Sequence, residues 1–216
     1  MTYNTYDLVM RLPLLGWGLF AATAQFAGLS QLVGSKSVDF VYVIHIATRL
    51  STVAFLLLMT AAVVLRTRPL GKASGLEPRI AALIGSFMMY GILLFPRRGL
   101  SLSGEIIATL LMMLGNAGAV VALSQLGRSF SVMAETRQLV TTGPYRIVRH
   151  PLYFAEEIAI IGVFLQFASP WTALLLLVQI GFQLRRMHNE ELVLTAQFPE
   201  YTAYRRTTAR LIPGVY

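Results

Sequence analysis

The sequence predicts an all-α integral membrane protein with six transmembrane helices, the last two forming a C-terminal helical hairpin between polar cytoplasmic segments. Three observations predict it. Of 216 residues, 56% are hydrophobic and only 13% charged, with a mean hydropathy of +0.63, whereas a soluble chain carries about 25% charged residues. The apolar residues gather into runs of spanning length, and the basic residues alternate with those runs. The composition excludes a disordered chain, a collagen and a disulfide scaffold, because so much apolar surface must be hidden and there is no cysteine. The lack of cysteine also removes a catalytic thiol and a Cys-ligated metal, and no metal site is expected.

A membrane span needs roughly 20 mostly apolar residues, fewer where protein shields it. Four long runs meet this, at about Leu12 to Gly34, Val41 to Leu65, Ile80 to Phe95 and Ile106 to Leu126. Arg11 and Ala22-Thr23-Ala24 give the first run a superficial likeness to a signal peptide; it is expected to be a retained span. A fifth run, about Tyr153 to Ala168, is broken by Ser169-Pro170-Trp171, and a sixth continues to Leu184. Proline disfavours helix in the residue before it and suits the first turn of the next helix. The break therefore predicts a hairpin with arms of roughly 16 residues, about 24 Å each. Residues 1–126 form an N-terminal four-span region and 127–216 a C-terminal region of hairpin and tail.

Charge placement supports six spans over five. Lys and Arg concentrate on the cytoplasmic side. With the N-terminus inside, that side holds Arg11, then Arg66, Arg68, Lys72 and Arg79, then Arg128, Arg137, Arg146 and Arg149, and finally Arg185, Arg186, Arg205, Arg206 and Arg210: 14 of the 18 basic residues. The outside holds Lys36, Arg97 and Arg98, and Arg49 lies within a span. A single kinked helix in place of the hairpin would move the tail outside and leave 9 against 8. Both termini are thus expected in the cytoplasm, at the inner membrane in a bacterial cell. The net charge of +8 follows topology, so no nucleic-acid partner is expected.

The polar stretches around the hairpin differ from the rest. The first reads Thr142-Gly143-Pro144-Tyr145-Arg146-Ile147-Val148-Arg149-His150-Pro151-Leu152-Tyr153, followed by Glu156-Glu157. The second reads Arg185-Arg186-Met187-His188-Asn189-Glu190-Glu191, and the chain closes with Phe198-Pro199-Glu200-Tyr201 to Tyr204 and Arg210-Leu211-Ile212-Pro213. Gly143-Pro144 predicts a turn. Pro151 suits the first turn of a helix, which sets His150 beside free backbone N–H groups. Because a hairpin returns its second arm to the starting side, the two polar ends are expected to meet on the cytoplasmic face.

These motifs, from Gly143-Pro144-Tyr145 through Val148-Arg149-His150-Pro151-Leu152-Tyr153 and Asn189-Glu190-Glu191 to Ile212-Pro213, resemble the isoprenylcysteine carboxyl methyltransferase family. That family belongs to a wider group of membrane methyltransferases that includes phospholipid N-methyltransferases. The resemblance covers roughly residues 140–213, and residues 1–125 match only as generic spans. It implies an S-adenosylmethionine-dependent enzyme whose cofactor pocket is built by the Arg149–Tyr153 segment and by Glu190-Glu191. Related enzymes often carry a glycine where this chain has Ala155. Nothing resembles the Gly-rich dinucleotide fingerprint, which excludes a Rossmann-type methyltransferase.

The residue chemistry is compatible. Arg149 can hold a carboxylate bidentately and His150 can donate to an anion. Glu190 or Glu191 can accept from an ammonium or a ribose. Tyr145, Tyr153, Tyr201 and Tyr204 offer stacking faces or hydroxyls at a membrane boundary. The expected cofactor-binding set is Tyr145, Arg149, His150, Pro151, Tyr153, Glu190, Glu191 and Tyr201, with Arg149, His150 and Arg49 as candidate catalytic residues. Plainer roles compete: positive-inside anchoring for Arg146 and Arg149, an i,i+4 pair with Arg186 for Glu190, and first-turn capping for Glu156 and Glu157. Arg49, one turn after His45 and well inside a span, is a functional candidate for an acidic substrate headgroup, against a structural pair with Glu105 or a carbonyl. Gly115 and Gly118 are expected to mark close helix packing.

The acceptor is expected to be lipophilic or a lipid. Carboxyl O-methylation of an isoprenylcysteine-like compound is the first expectation, and phospholipid N-methylation or small-thiol S-methylation the alternative. Thiol or amine acceptors must lose a proton, and only then would His150 or a glutamate serve as base. An Arg-x-Ile-Pro-like ending also occurs in NADPH-dependent membrane sterol reductases, the reading outside this class. The oligomeric state is not legible.

Overall fold

A computed structural model describes residues 3–33 and 40–214; Lys36 lies outside them. The order is α1 (Tyr3–Val33), α2 (Phe40–Leu65), β1 (Gly71–Lys72), α3 (Glu77–Phe87) continued by a 3-10 helix (Met88–Leu94), α4 (Leu102–Leu126), β2 (Glu135–Thr136), a 3-10 turn (Gly143–Arg146), α5 (Pro151–Gln166), α6 (Pro170–Gln197) and α7 (Tyr201–Thr207). The long helices follow the apolar runs, and the two strands are only two residues each. Four helical segments are long and apolar enough to cross a membrane: Arg11–Ser30, Phe40–Leu65, Glu77–Leu94 and Leu102–Ser129. The chain is therefore a multi-pass membrane protein.

The Ser169-Pro170 break does separate two helices. Ser169 caps α6, accepting from the Thr172 amide at 3.2 Å, while its own amide donates to Thr172 Oγ1 at 2.9 Å. This reciprocal capping box fixes where α6 starts. The 16-residue α5 and the apolar first half of α6 are shorter than these four segments. Their backbones pack mainly on different partners, α5 against α4 and α6 against α3.

Glycine makes both packings close. A Cβ on Gly115 of α4 would lie 2.4 Å from the Ala159 amide nitrogen, and one on Gly162 of α5 2.5 Å from the Ala108 carbonyl oxygen. The two backbones touch there, as small residues allow in lipid. Gly118 faces the side chain of Ala155, whose Cβ is 3.2 Å from the position of an added Cβ. Ala155 thus occupies space that α4 leaves by having glycine opposite. At the α3–α6 contact, Gln179 Nε2 donates to the Gly85 carbonyl at 3.1 Å.

Apolar packing is concentrated where α2, α4 and α5 converge, around Val63, Ala119, Ala122, Leu123, Leu152 and Ala155. Polar bonds join the same helices: Thr48 Oγ1 donates to the Thr109 carbonyl at 3.2 Å and Asn116 Nδ2 to Thr52 Oγ1 at 2.6 Å. β1 pairs antiparallel with β2, Gly71 opposite Thr136 and Lys72 opposite Glu135. This ties the loop after α2 to the one after α4.

Candidate functional site

The Arg149-His150-Pro151 segment is held by the tail. Val148 pairs in parallel with Ala209, the Arg149 amide donates to the Ala209 carbonyl at 2.8 Å, and the His150 amide to the Arg210 carbonyl at 3.1 Å. Pro151, buried, is the first residue of α5, and His150 is its N-cap without a side-chain capping bond. The imidazole turns to α6 instead: Nε2 lies 3.1 Å from Glu191 Oε1. The same oxygen accepts from Arg149 Nε at 2.9 Å and pairs with Arg210 Nε at 3.4 Å. Arg149 Nη1 donates to the carbonyls of Arg205, at 3.1 Å, and of Thr208. Burial alone would raise the Glu191 carboxyl, but His150, then Arg149 and Arg210, outweigh it and hold the group at about 2, below its ordinary 4.5.

Glu190, one position earlier, faces a different way. It accepts from the Tyr153 hydroxyl and lies 3.5 Å from Arg186 Nε, the expected i,i+4 pair. The Arg186 guanidinium sits 4.6 Å over the Tyr153 ring, and the Tyr153 ring stacks on His150 at 5.4 Å between centroids. Arg186 is anchored from α3 by Ser86 Oγ at 2.8 Å. His150, Tyr153 and Glu190 line a cavity, together with Tyr145, Phe130, Ser131 and the stretch from Glu135 to Gln138.

Three atoms on residues lining this cavity are buried and lack a hydrogen-bond partner: Tyr145 Oη, Thr136 Oγ1 and Arg137 Nη1. Orphaned buried polar groups are costly, and each is a donor for a polar ligand. Burial, reinforced by the charge of Glu190, pushes the Tyr145 phenol above the usual tyrosine range, so it stays a neutral donor. Gly143, with φ of +58°, supplies the left-handed turn that leads into Tyr145. Tyr204 donates to the Tyr145 carbonyl at 2.5 Å and its ring lies 5.8 Å from Tyr201. Tyr201 is buried on α7 with no partner for its hydroxyl. Burial pushes Tyr204 up to about 12 and Tyr201 higher still.

Tyr145, His150, Tyr153 and Glu190 therefore share one cavity, while Arg149 and Glu191 form an ion-pair cluster behind it and Pro151 sets the start of α5. Arg49 is elsewhere. Its Nη1 lies 3.3 Å from Gln25 Oε1 and it fills the space over Gly28 of α1. The pair expected between Arg49 and Glu105 is not formed; His45 meets Glu105 instead, at 3.2 Å. Capping by Glu156 and Glu157 is also corrected. The helix starts at Pro151, so they lie in its second turn, where Gln183 donates to Glu156 at 3.3 Å and Gln179 to Glu157 at 2.9 Å.

Sequence reasoning missed Ser131, Glu135, Thr136, Arg137 and Gln138, which close the cavity from the loop after α4. Their only signal is a polar stretch without helical period. Arg137 shows how the loop is fixed: its Nε donates to the Thr67 carbonyl at 2.6 Å and its Nη2 to Glu135 at 2.7 Å.

Comparison with known proteins supports the same segment. Two curated relatives match, the cobalt-zinc-cadmium resistance protein CzcN of Cupriavidus metallidurans, 32% identical over 115 residues, and the nickel-cobalt-cadmium resistance protein NccN of Alcaligenes xylosoxydans xylosoxydans, 30% identical over 112 residues. The matches span about half of this chain and 52% of each relative. Residues 104–200, from near the start of α4 to just past the end of α6, match the phospholipid methyltransferase family model.

Proposed function

We propose that this chain is an S-adenosylmethionine-dependent integral membrane methyltransferase acting on a lipophilic acceptor. The observation that carries the reading is the cavity shared by Tyr145, His150, Tyr153 and Glu190 inside the matched segment, with orphaned donors on its wall. Those residues fit the cofactor: neutral hydroxyls and Arg137 suit its carboxylate, and Glu190 suits its ammonium or ribose. S-adenosylmethionine, when bound, supplies an electrophilic methyl group. Arg186 and Tyr153 position Glu190, and Glu191 holds the Arg149-His150 segment so that the imidazole edge keeps its place on the cavity wall. In this reading a lipophilic acceptor reaches the cavity from the lipid. Positioning of this kind supplies much of the rate of an in-line displacement.

On acceptor chemistry, the motif resemblance favours carboxyl O-methylation of an isoprenylcysteine-like compound, and the family description favours phospholipid amines; small-thiol S-methylation belongs to the same class. A carboxylate acceptor needs no base and gives a flat rate from about pH 6 to 8, whereas an amine or thiol gives a rate that rises with pH. In this reading α5 and α6 complete six spans, with both termini cytoplasmic. The names of the two relatives concern metal resistance; among the described residues no group of three or more His, Cys, Asp or Glu could hold a metal ion, and we propose no metal site.

The test is calorimetry with S-adenosylhomocysteine on purified wild type and His150→Ala. Micromolar binding by the wild type, weakened at least tenfold in the variant, is expected. Absence of binding to folded wild type refutes the proposal, and a thermal shift with NADPH in its place would turn the reading to a membrane reductase.

A further inference from the structure

Behind the cavity, on the opposite side of Glu191, lies a second and more open recess lined by Arg149, Glu191, Arg205, Arg206, Thr208 and Arg210. Its lining is basic: among the described residues it holds four arginines and one carboxylate. Arg149, Arg210 and Arg205 approach Glu191 at 2.9, 3.4 and 4.0 Å, and Arg206 stands beside them. Like charges held this close are favourable where another anion joins them.

The surroundings identify the source of that anion. Ile147, two residues before Arg149, is 65% exposed, and Ile212, two residues after Arg210, is 46% exposed. Leu192, beside Glu191 on α6, is also exposed. Ile147 closes the 3-10 turn that leads into Arg149, and Val148 between them is buried. Glu191 lies seven residues beyond Leu184, where the apolar arm of α6 ends, or about 10 Å along the helix. That is close to the headgroup layer, which widens a bilayer from about 30 Å to about 40–45 Å. Arginines flanked by exposed aliphatic side chains at this depth match an anionic headgroup above acyl chains. Topology explains why arginines are abundant on this face, but not why three converge on one carboxylate beside exposed isoleucines.

We propose that this recess binds the phosphodiester headgroup of an anionic membrane lipid, with Arg205 and Arg206 as its outer clamp and Ile147 and Ile212 resting on the acyl boundary. The lipid would fasten the tail that pairs with Val148 and His150. The inference is independent of the methyl-transfer reading.

Native mass spectrometry of the full chain in detergent tests it, with phosphatidylglycerol and phosphatidylcholine titrated separately. Phosphatidylglycerol is expected to bind roughly tenfold or more tighter, two arginines at a membrane surface being sufficient for that preference. The exposed double substitution R205Q/R206Q should reduce it to the phosphatidylcholine level, and R97Q/R98Q, an equal loss of charge at the other end of the molecule, should leave it intact. Equal retention of the two lipids, an unchanged preference in R205Q/R206Q, or the same loss in R97Q/R98Q overturns the proposal. Inorganic phosphate binding as tightly as phosphatidylglycerol assigns the recess to a soluble anion and also overturns it.

Discussion

At the scale of single residues, the two neighbouring glutamates divide the work of the site. Glu191 is 4% exposed in its side chain and is the common partner of His150, Arg149 and Arg210, so it organises the segment that carries the cavity wall. Removing one member of a buried ion cluster strands the others and costs about 3–5 kcal/mol. Glu191→Gln should therefore lower the melting temperature at pH 7. Because the folded-state carboxyl is held at about 2, against an ordinary 4.5, its contribution is complete above about 4.5 and is lost as pH falls toward 2. Melting curves from pH 6 to 3 should fall more steeply for the wild type than for Glu191→Gln; parallel curves would show that the carboxylate is not the anchor. Tyr145 gives the complementary prediction. Its buried hydroxyl lacks a partner, so Tyr145→Phe should leave the melting temperature of the ligand-free protein equal or higher, while weakening S-adenosylhomocysteine about tenfold. A destabilised Tyr145→Phe with unchanged binding would remove the hydroxyl from the site.

At the scale of elements, the distance between α4 and α5 decides where Leu152 and Tyr153 project into the cavity. Gly115 and Gly162 bring backbone against backbone, with clearances of 2.4 and 2.5 Å for an added Cβ, whereas Gly118 opposes only the Cβ of Ala155, at 3.2 Å. Gly162→Ala or Gly115→Ala should therefore destabilise by about 1–3 kcal/mol or more and weaken cofactor binding, with Gly118→Ala much milder. Thermal melts in detergent check the order, and equal effects at the three positions would contradict it. The loop after α4 is the other decisive element. Its two-residue pairing with β1 and the Arg137 bonds carry Thr136 and Gln138 to the cavity, and no helix or strand period in the sequence announces that.

At the scale of the whole molecule, six spans with both termini inside require the C-terminal tail, α7 and the Glu191 cluster to lie in the cytoplasm. A C-terminal reporter active only in the cytoplasm should be active here; activity restricted to the outside would leave five spans and detach the site from its source of cofactor. Much of the architecture was legible in the sequence because lipid demands it: long uninterrupted apolar runs and the Ser169-Pro170 break follow from hiding apolar surface and satisfying backbone groups locally. The motif residues were legible as a set for the same kind of reason, since Gly143, Pro144 and Pro151 fix local backbone. Their division was not. That Glu190 faces the cavity while Glu191 faces the arginines depends on the angle at which α6 crosses α5, and Arg49 turns to Gln25 and Gly28 because α1 lies against that face of α2. The sequence by itself determined the membrane class, the helical breaks and the stretch that resembles the membrane methyltransferases. Only the tertiary structure decided which side chains share a cavity, because helix packing sets that through glycine contacts and loop pairings between residues far apart in the chain.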